Sequence, residues 1–344
     1  MPDLAARTLE LVDIASESRS EAEIVAHVTE LVGGVDAGDT CILAGVTERR
    51  DRPLVLLAGH LDTVPAQGNL PGRHDGTHVH GAGASDMKAG IAVMIELILD
   101  PPTDATVDLG FVFFGREELP FNEMALTPLL RREPSLATAD LAIVLEPTAN
   151  DLHAGCLGNI NATWNFSGRS GHSARPWLAD NAITRAAAGI GALAAIAPVE
   201  HEFGELTYKE VVTVVGVAGG IARNVIPGEA SAQVNMRYAP GTPATEAEAR
   251  LHELCDPYGD LVIDSNSPSG PVAQGELVQR LVAAGDLAVQ PKQAWTPVAE
   301  FGLIGVPAVN FGPGDPNEAH MRDEKVAVAA LERADEILRA FACA

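Results

Sequence analysis

The segment LVLLAGHLDTVP, residues 54 to 65, begins as an unbroken apolar run and ends on His60, Asp62 and a proline. A short run with no polar alternation fits a strand covered on both faces. Two more such runs follow, LGFVFFG at 109 to 115 and LAIVLEP at 141 to 147. Between the first two lies KAGIAVMIELIL (88 to 99), of helical length and stopped by Asp100, Pro101 and Pro102. Strand, helix, strand predicts an α/β sheet with parallel members.

From about residue 160 the texture changes. ASAQVNMRY (230 to 238) alternates Ala232, Val234, Met236 and Tyr238 with Ser231, Gln233, Asn235 and Arg237, which predicts an antiparallel sheet with one wet face. An Ala-rich helix, DNAITRAAAGIGALAAI (180 to 196), precedes it. DSNSPSGP (264 to 271) reads as a linker, after which apolar runs such as VPAVNFG (306 to 312) return. The expected organisation is an α/β core, residues 1–158 and 271–344, interrupted by a smaller α+β domain at 159–270. No internal repeat or low-complexity tract is visible.

The chain has 344 residues, 47% hydrophobic and 20% charged, an ordinary globular composition large enough for two domains. Its formal net charge of −24 repels phosphate backbones and anionic lipid, so neither nucleic acid nor a membrane surface is an expected partner. Cys41, Cys156, Cys255 and Cys343 are scattered without a CxxC pair, which indicates no disulfide framework and no thiolate zinc site. The first twenty residues have neither a basic start nor a continuous apolar stretch, so no signal peptide is expected. The runs at 88 to 99 and 182 to 198 are too short or too rich in Ala and Gly to span a bilayer, and the cytoplasm is the default location.

Polar residues gather where the buried strands end. His60 and Asp62 are two apart, so an extended backbone points both to one face, where a carboxylate can hold an imidazole by its second nitrogen. Asp86 follows the Gly-rich GAGAS and precedes the helix, where it reads equally well as an N-cap or a ligand. Glu117 and Glu118 stand side by side after the second run, Glu146 ends the third, and His320 lies in the loop GPGDPNEAH. On a strand, adjacent glutamates would point to opposite faces, so solvent explains at most one. Histidines and carboxylates suit Zn²⁺, with Co²⁺ or Mn²⁺ as substitutes, better than thiolate-seeking metals. The candidates outnumber what one ion needs, which points to two ions roughly 3.5–4 Å apart bridged by one carboxylate, with Asp86 central in the set.

The series GHLDTVP, GAGASDMKAG, GREE, EPT, a Gly-His in the second domain, ARNVIP and a late GPG followed by AH resembles the M20 family of dinuclear zinc peptidases and deacylases across essentially the whole chain. Through QGNLPGR, HSARPWLADNAI, VAGGIARNVIP and NFGPGDPNEAH it is most similar to the actinobacterial succinyl-diaminopimelate desuccinylase group. The resemblance implies a zinc-exopeptidase-like catalytic domain with a mixed sheet, interrupted by a ferredoxin-like lid and dimerisation domain. It implies one ion on His60, Asp86 and Glu146 and another on Asp86, Glu118 and His320. Asp62 would orient His60, and Glu117 would be the general base. His172 would reach the active site of the partner subunit in a homodimer paired through the lid. Arg175, Asn224, Arg237 and Thr296 would grip the carboxylates of a small anionic or zwitterionic N-acyl amino acid.

The implied activity is removal of succinate from N-succinyl-LL-2,6-diaminopimelate in lysine biosynthesis. N-acetylornithine deacetylation and carboxypeptidase or dipeptidase activity are the alternatives on the same fold. A non-catalytic metal-binding scaffold is the alternative of another class, against which Glu117 speaks, because a binder needs no base beside its ligands. The segment AWTPVAEF departs from the desuccinylase pattern, with Pro297 and Glu300 where an acid and an arginine are usual. Arg116, just before the glutamate pair, is a second departure.

Overall fold

The computed structural model describes residues 3–344. These form two compact units, the first from residues through 155 with 270–291 and 296–344, the second from 156–269 and 292–295. The chain therefore enters the second unit twice.

The first unit is built on an eight-stranded sheet in the order β1-β2-β6-β3-β7-β17-β8-β16. Its strands are β1 (Val35–Gly38), β2 (Cys41–Gly45), β3 (Leu54–His60), β6 (Asp108–Phe114), β7 (Leu141–Val144), β8 (Leu152–Ala154), β16 (Val289–Pro291) and β17 (Ala308–Asn310). A three-stranded sheet, β18-β5-β4, joins Lys325–Ala327 (β18), His78–His80 (β5) and Arg73–His74 (β4). In the large sheet β6, β7 and β17 are the parallel neighbours that flank and extend β3, while β1, β2 and β8 add antiparallel pairings. The sheet is thus mixed. Every residue of β3 and β7 is buried, as their unalternated sequences require.

Helix Ala89–Leu99 contributes a continuous buried stretch from Ala89 to Leu97 and packs against helices Leu4–Asp13 and Val328–Cys343. It ends at Asp100, before the two prolines. Gly90 lets it approach the end of β7: a Cβ there would meet the Leu145 carbonyl oxygen at 2.6 Å. That approach seats the helix start beside Glu146. The helix is capped at Lys88 without a side-chain bond, so Asp86 is not its N-cap.

The second unit is α+β. Its five-stranded antiparallel sheet runs β11-β12-β14-β9-β15, formed by Val199–Phe203 (β11), Leu206–Gly219 (β12), Glu229–Tyr238 (β14), Gly158–Ser167 (β9) and Asp260–Ser267 (β15). The alternation in β14 buries Ala230, Ala232, Val234, Met236 and Tyr238. These pack with Ile160, Ala162, Trp164 and Phe166 of β9 and with helices Ala182–Ala194 and Ala244–Cys255. The segment expected to be a linker is strand as far as Ser267. Its polar composition reflects an edge strand, open on one side and shifted in register between Ile263 and Ser265. A two-stranded ribbon, β10 (Gly171–His172) with β13 (Val225–Ile226), completes the unit. Among the described residues no helix is long and apolar enough to cross a membrane, and the four cysteines are free.

Candidate active site

His60 is the last residue of β3, and Asp86, Glu118, Glu146 and His320 lie in the turns and loops that surround that strand end. His60 Nε2 is 3.1 Å from Asp86 Oδ1 and 3.9 Å from Glu146 Oε1. His320 Nε2 is 2.9 Å from Glu118 Oε1 and 3.4 Å from Asp86 Oδ2. Two triads able to hold a cation result, His60–Asp86–Glu146 and Asp86–Glu118–His320, and Asp86 belongs to both. A third, His60–Glu117–Glu118, takes one member from each of the others and adds Glu117. Glu117 therefore stands between the two triads. His320 itself sits at φ 61°, a left-handed conformation sparse for residues other than glycine.

Asp62 has partners beyond the one its spacing implied. His60 Nδ1 is 2.9 Å from the main-chain carbonyl oxygen of Asp62, whereas the Asp62 carboxylate is 3.6 Å away. That carboxylate is fully buried and accepts the Glu117 N–H at 3.0 Å, the Glu118 N–H at 3.2 Å and the Ser18 hydroxyl at 2.7 Å. The glutamate pair is thus held in a turn, not along a strand, so the two side chains need not point to opposite faces. Arg116 makes the turn. It sits at φ 60°, so the next two N–H groups converge on one acceptor, as in a backbone nest. Its guanidinium turns away, 2.6 Å from Asp39 and donating to the Glu123 carbonyl at 2.8 Å. This departure from the family pattern is structural.

Charge at the site is lopsided. Asp62, Asp86, Glu117, Glu118 and Glu146 stand with two imidazoles; His60, Asp62 and Glu146 are buried, Asp86, Glu117 and Glu118 half-buried, and His320 exposed. Burial, and then the charges of Glu146, Glu118 and Asp86, raise the Glu117 carboxyl well above its ordinary range. Burial would lower His60, but its bond to Asp86 and the nearby charges of Glu117 and Asp62 raise it well above. His320 is raised to about 10 by its bonds to Asp86 and Glu118. Burial works against ionising Asp86, yet bonds from His320 and His60 hold it below its ordinary value. Anionic excess, nitrogen and oxygen donors and the absence of a thiolate from the triads fit divalent cations of the Zn²⁺, Mn²⁺ or Co²⁺ type.

The remaining candidates are distributed as follows. His172 ends strand β10 of the ribbon in the second unit and Asn224 precedes strand β13; beside them the Ser173 N–H donates to the Asn224 carbonyl at 3.0 Å and the Arg175 N–H to the His172 carbonyl at 2.8 Å. The Ala174 N–H donates to His172 Nδ1 at 3.1 Å. Arg237 lies on β14, half-buried, its Nε donating to Asn235 at 3.1 Å, and burial pushes its pKa down. Thr296, in the first unit, is 1% exposed at the turn before helix Val298–Leu303. Glu300 is equally buried and accepts the Thr127 hydroxyl at 2.6 Å. Its charge is not presented to solvent, and the departure at this position does not place an anion on an open surface.

One residue escaped sequence reasoning. Glu324 is 3% exposed and accepts main-chain N–H groups from the segment that carries Asp86. The signal lay in the RDE that follows His320, a triplet whose acid has no strand end to mark it.

Residues 56–344 match the profile of Peptidase family M20/M25/M40. The chain belongs to this family. Within it, a Mycobacterium tuberculosis (strain H37Rv) protein, provisionally named a succinyl-diaminopimelate desuccinylase, is 39% identical over 341 residues, 97% of this chain and 96% of that protein. A Corynebacterium glutamicum protein named succinyl-diaminopimelate desuccinylase is 33% identical over 348 residues, 97% of this chain and 94% of that one. The fold matches the crystal structure of an M20 family metallo-carboxypeptidase from Sulfolobus solfataricus, with a TM-score of 0.79 at 15% identity over 100% of this chain and 99% of that one. It also matches aminopeptidase PepT from Bacillus cereus, with a TM-score of 0.78 at 19% identity over 98% and 97%. As a member of peptidase family M20, this chain is a metal-dependent hydrolase of amide bonds.

Proposed function

We propose that the protein is a dinuclear zinc amide hydrolase that releases succinate from N-succinyl-LL-2,6-diaminopimelate. The observation that carries this reading is the pair of triads sharing Asp86, with Glu117 between them. His60, Asp86 and Glu146 would hold one ion, and Asp86, Glu118 and His320 the other. Bound there, the ions would polarise the scissile carbonyl and make water at the site more acidic.

Glu117 takes a proton from the attacking water on a carboxylate oxygen and passes it to the leaving amine nitrogen. Burial and the neighbouring carboxylates raise its proton affinity, so its ionised form is a stronger base toward water than an ordinary glutamate. Asp62 fixes the turn on which Glu117 and Glu118 are presented. Because His172 Nδ1 accepts a main-chain N–H, the neutral ring carries its proton on Nε2. That N–H is the donor for the developing oxyanion, a contact worth on the order of 3 kcal/mol in other enzymes. Arg175 and Arg237 suit carboxylate recognition through their planar forks, and Asn224 adds an amide. In this proposal the second unit pairs two copies of the chain, and His172 serves the active site of the partner subunit.

The names carried by the relatives from M. tuberculosis and C. glutamicum support the choice of acyl group. The test is an assay of the zinc-loaded protein against N-succinyl-LL-2,6-diaminopimelate, N-acetylornithine and a dipeptide panel. Turnover of the first is the expected result. Turnover of either other class without the first would overturn the substrate while keeping the metal centre.

A further inference from the structure

The segment Ala84–Lys88, which carries Asp86, is an irregular turn with non-helical dihedrals at Asp86 (φ −121°, ψ 94°) and Met87 (φ −134°, ψ 38°). Backbone in that conformation leaves some of its N–H groups without main-chain partners, and such donors in a buried place need an acceptor. Here the acceptor is one side chain. Glu324 Oε2 takes the Gly83 N–H at 3.0 Å, and its Oε1 takes those of Ser85 at 2.8 Å and Asp86 at 3.0 Å. Three main-chain N–H groups converge on one side chain, which thus fixes most of the turn.

Glu324 lies four residues beyond His320 on the same segment. Its carbonyl also accepts the Gly81 N–H at 3.0 Å, and Lys325 then pairs with His80 where β18 joins β5. The segment that supplies His320 thus anchors the turn that supplies Asp86. We propose that Glu324 is a positioning residue that sets Asp86 against His320 and so governs binding of the ion held by Asp86, Glu118 and His320. The inference rests on the dinuclear reading above.

The two triads depend on this anchor unequally. His60 is fixed by β3 and Glu146 by the end of β7, both inside the large sheet. His320 lies in a half-exposed loop, and its register with Asp86 runs through Glu324. Loss of Glu324 therefore weakens the second equivalent of metal more than the first. Glutamine at this position can keep the two bonds made by Oε1, but its amide would face the Gly83 N–H donor to donor, so Glu324→Gln falls between wild type and Glu324→Ala.

The experiment is a calorimetric titration of metal-free full-length protein with Zn²⁺ at fixed pH. A parallel Co²⁺ titration follows the visible absorption bands, and circular dichroism and thermal unfolding serve as controls for folding. For Glu324→Ala the second equivalent is expected to weaken about tenfold or more while the first changes little, and Glu324→Gln is expected to lose less. Wild-type affinity for both equivalents in Glu324→Ala, or in Glu324→Gln if the alanine variant does not fold, overturns the proposal. So does equal weakening of both equivalents, which would mark Glu324 as a general structural residue. A wild-type protein that takes up no pair of ions overturns the dinuclear reading, and this proposal with it, so the two failures are told apart by the wild-type titration alone.

Discussion

Glu117 and Glu118 are neighbours with different duties, and the turn made by Arg116 lets both be served. One is placed in a triad with Asp86 and His320, the other between the triads. Replacing Glu117 with Gln keeps the shape and removes the base, so kcat should fall by about 10²–10⁴ with metal content unchanged. Turnover and metal analysis on the same preparation decide it, and full activity in the variant sinks the mechanism. Glu300 carries a second expectation. Burial raises its carboxyl from 4.5 to about 7. The folded protein then keeps a proton that the unfolded chain releases, so this group lowers stability as pH rises through that window, in total by on the order of 3 kcal/mol. Glu300→Gln should unfold with a flatter pH dependence between about 4.5 and 7, measured by urea midpoints, and an unchanged slope would contradict the account. The members of the two triads were legible because each follows a buried strand or sits in a Gly-rich loop. The main-chain partners of the Asp62 carboxylate were not, since they depend on a left-handed residue and on N–H groups that no side-chain pattern encodes.

At the level of elements, the helix at Ala89–Leu99 and strands β3, β6, β7 and β14 were legible from hydrophobic runs and alternation, with ends displaced by a residue or so. The edge strand β15 was not. A strand bonded on one side only can carry Ser, Asn and Asp, and a composition-based reading then takes it for a loop. Close packing at Gly90 is a further element-scale property, because the helix can lie on Leu145 only while that position lacks a Cβ. Gly90→Ala should push the helix outward and cost about 1–3 kcal/mol, read as a lower melting temperature. Because Glu146 adjoins Leu145, metal uptake should weaken too. A variant as stable as wild type would show that the helix can shift freely.

At the scale of the whole molecule, the proposed exchange of His172 between subunits has a sharp consequence. Glu117→Gln and His172→Ala homodimers should each be nearly inactive, yet a hybrid of the two would hold one intact site, with Glu117 from one chain and His172 from the other. Unfolding and refolding the variants together should recover roughly a quarter of wild-type activity if subunits pair at random in a two-fold dimer. No recovery would place His172 in its own chain's site or nowhere near it. The interleaving of the two units has a consequence in time as well. Strand β17 pairs with both β7 and β8 although the second unit separates it from them in sequence. As the chain leaves the ribosome, the second unit's long continuous segment emerges while the great sheet still lacks an inner member, leaving the edge of β7 open. His320 is the last residue of the two triads to be made. Assembly of the active centre is therefore a late event in biosynthesis, and a nascent chain stalled before residue 308 would display a raw sheet edge to the quality-control machinery of the cell.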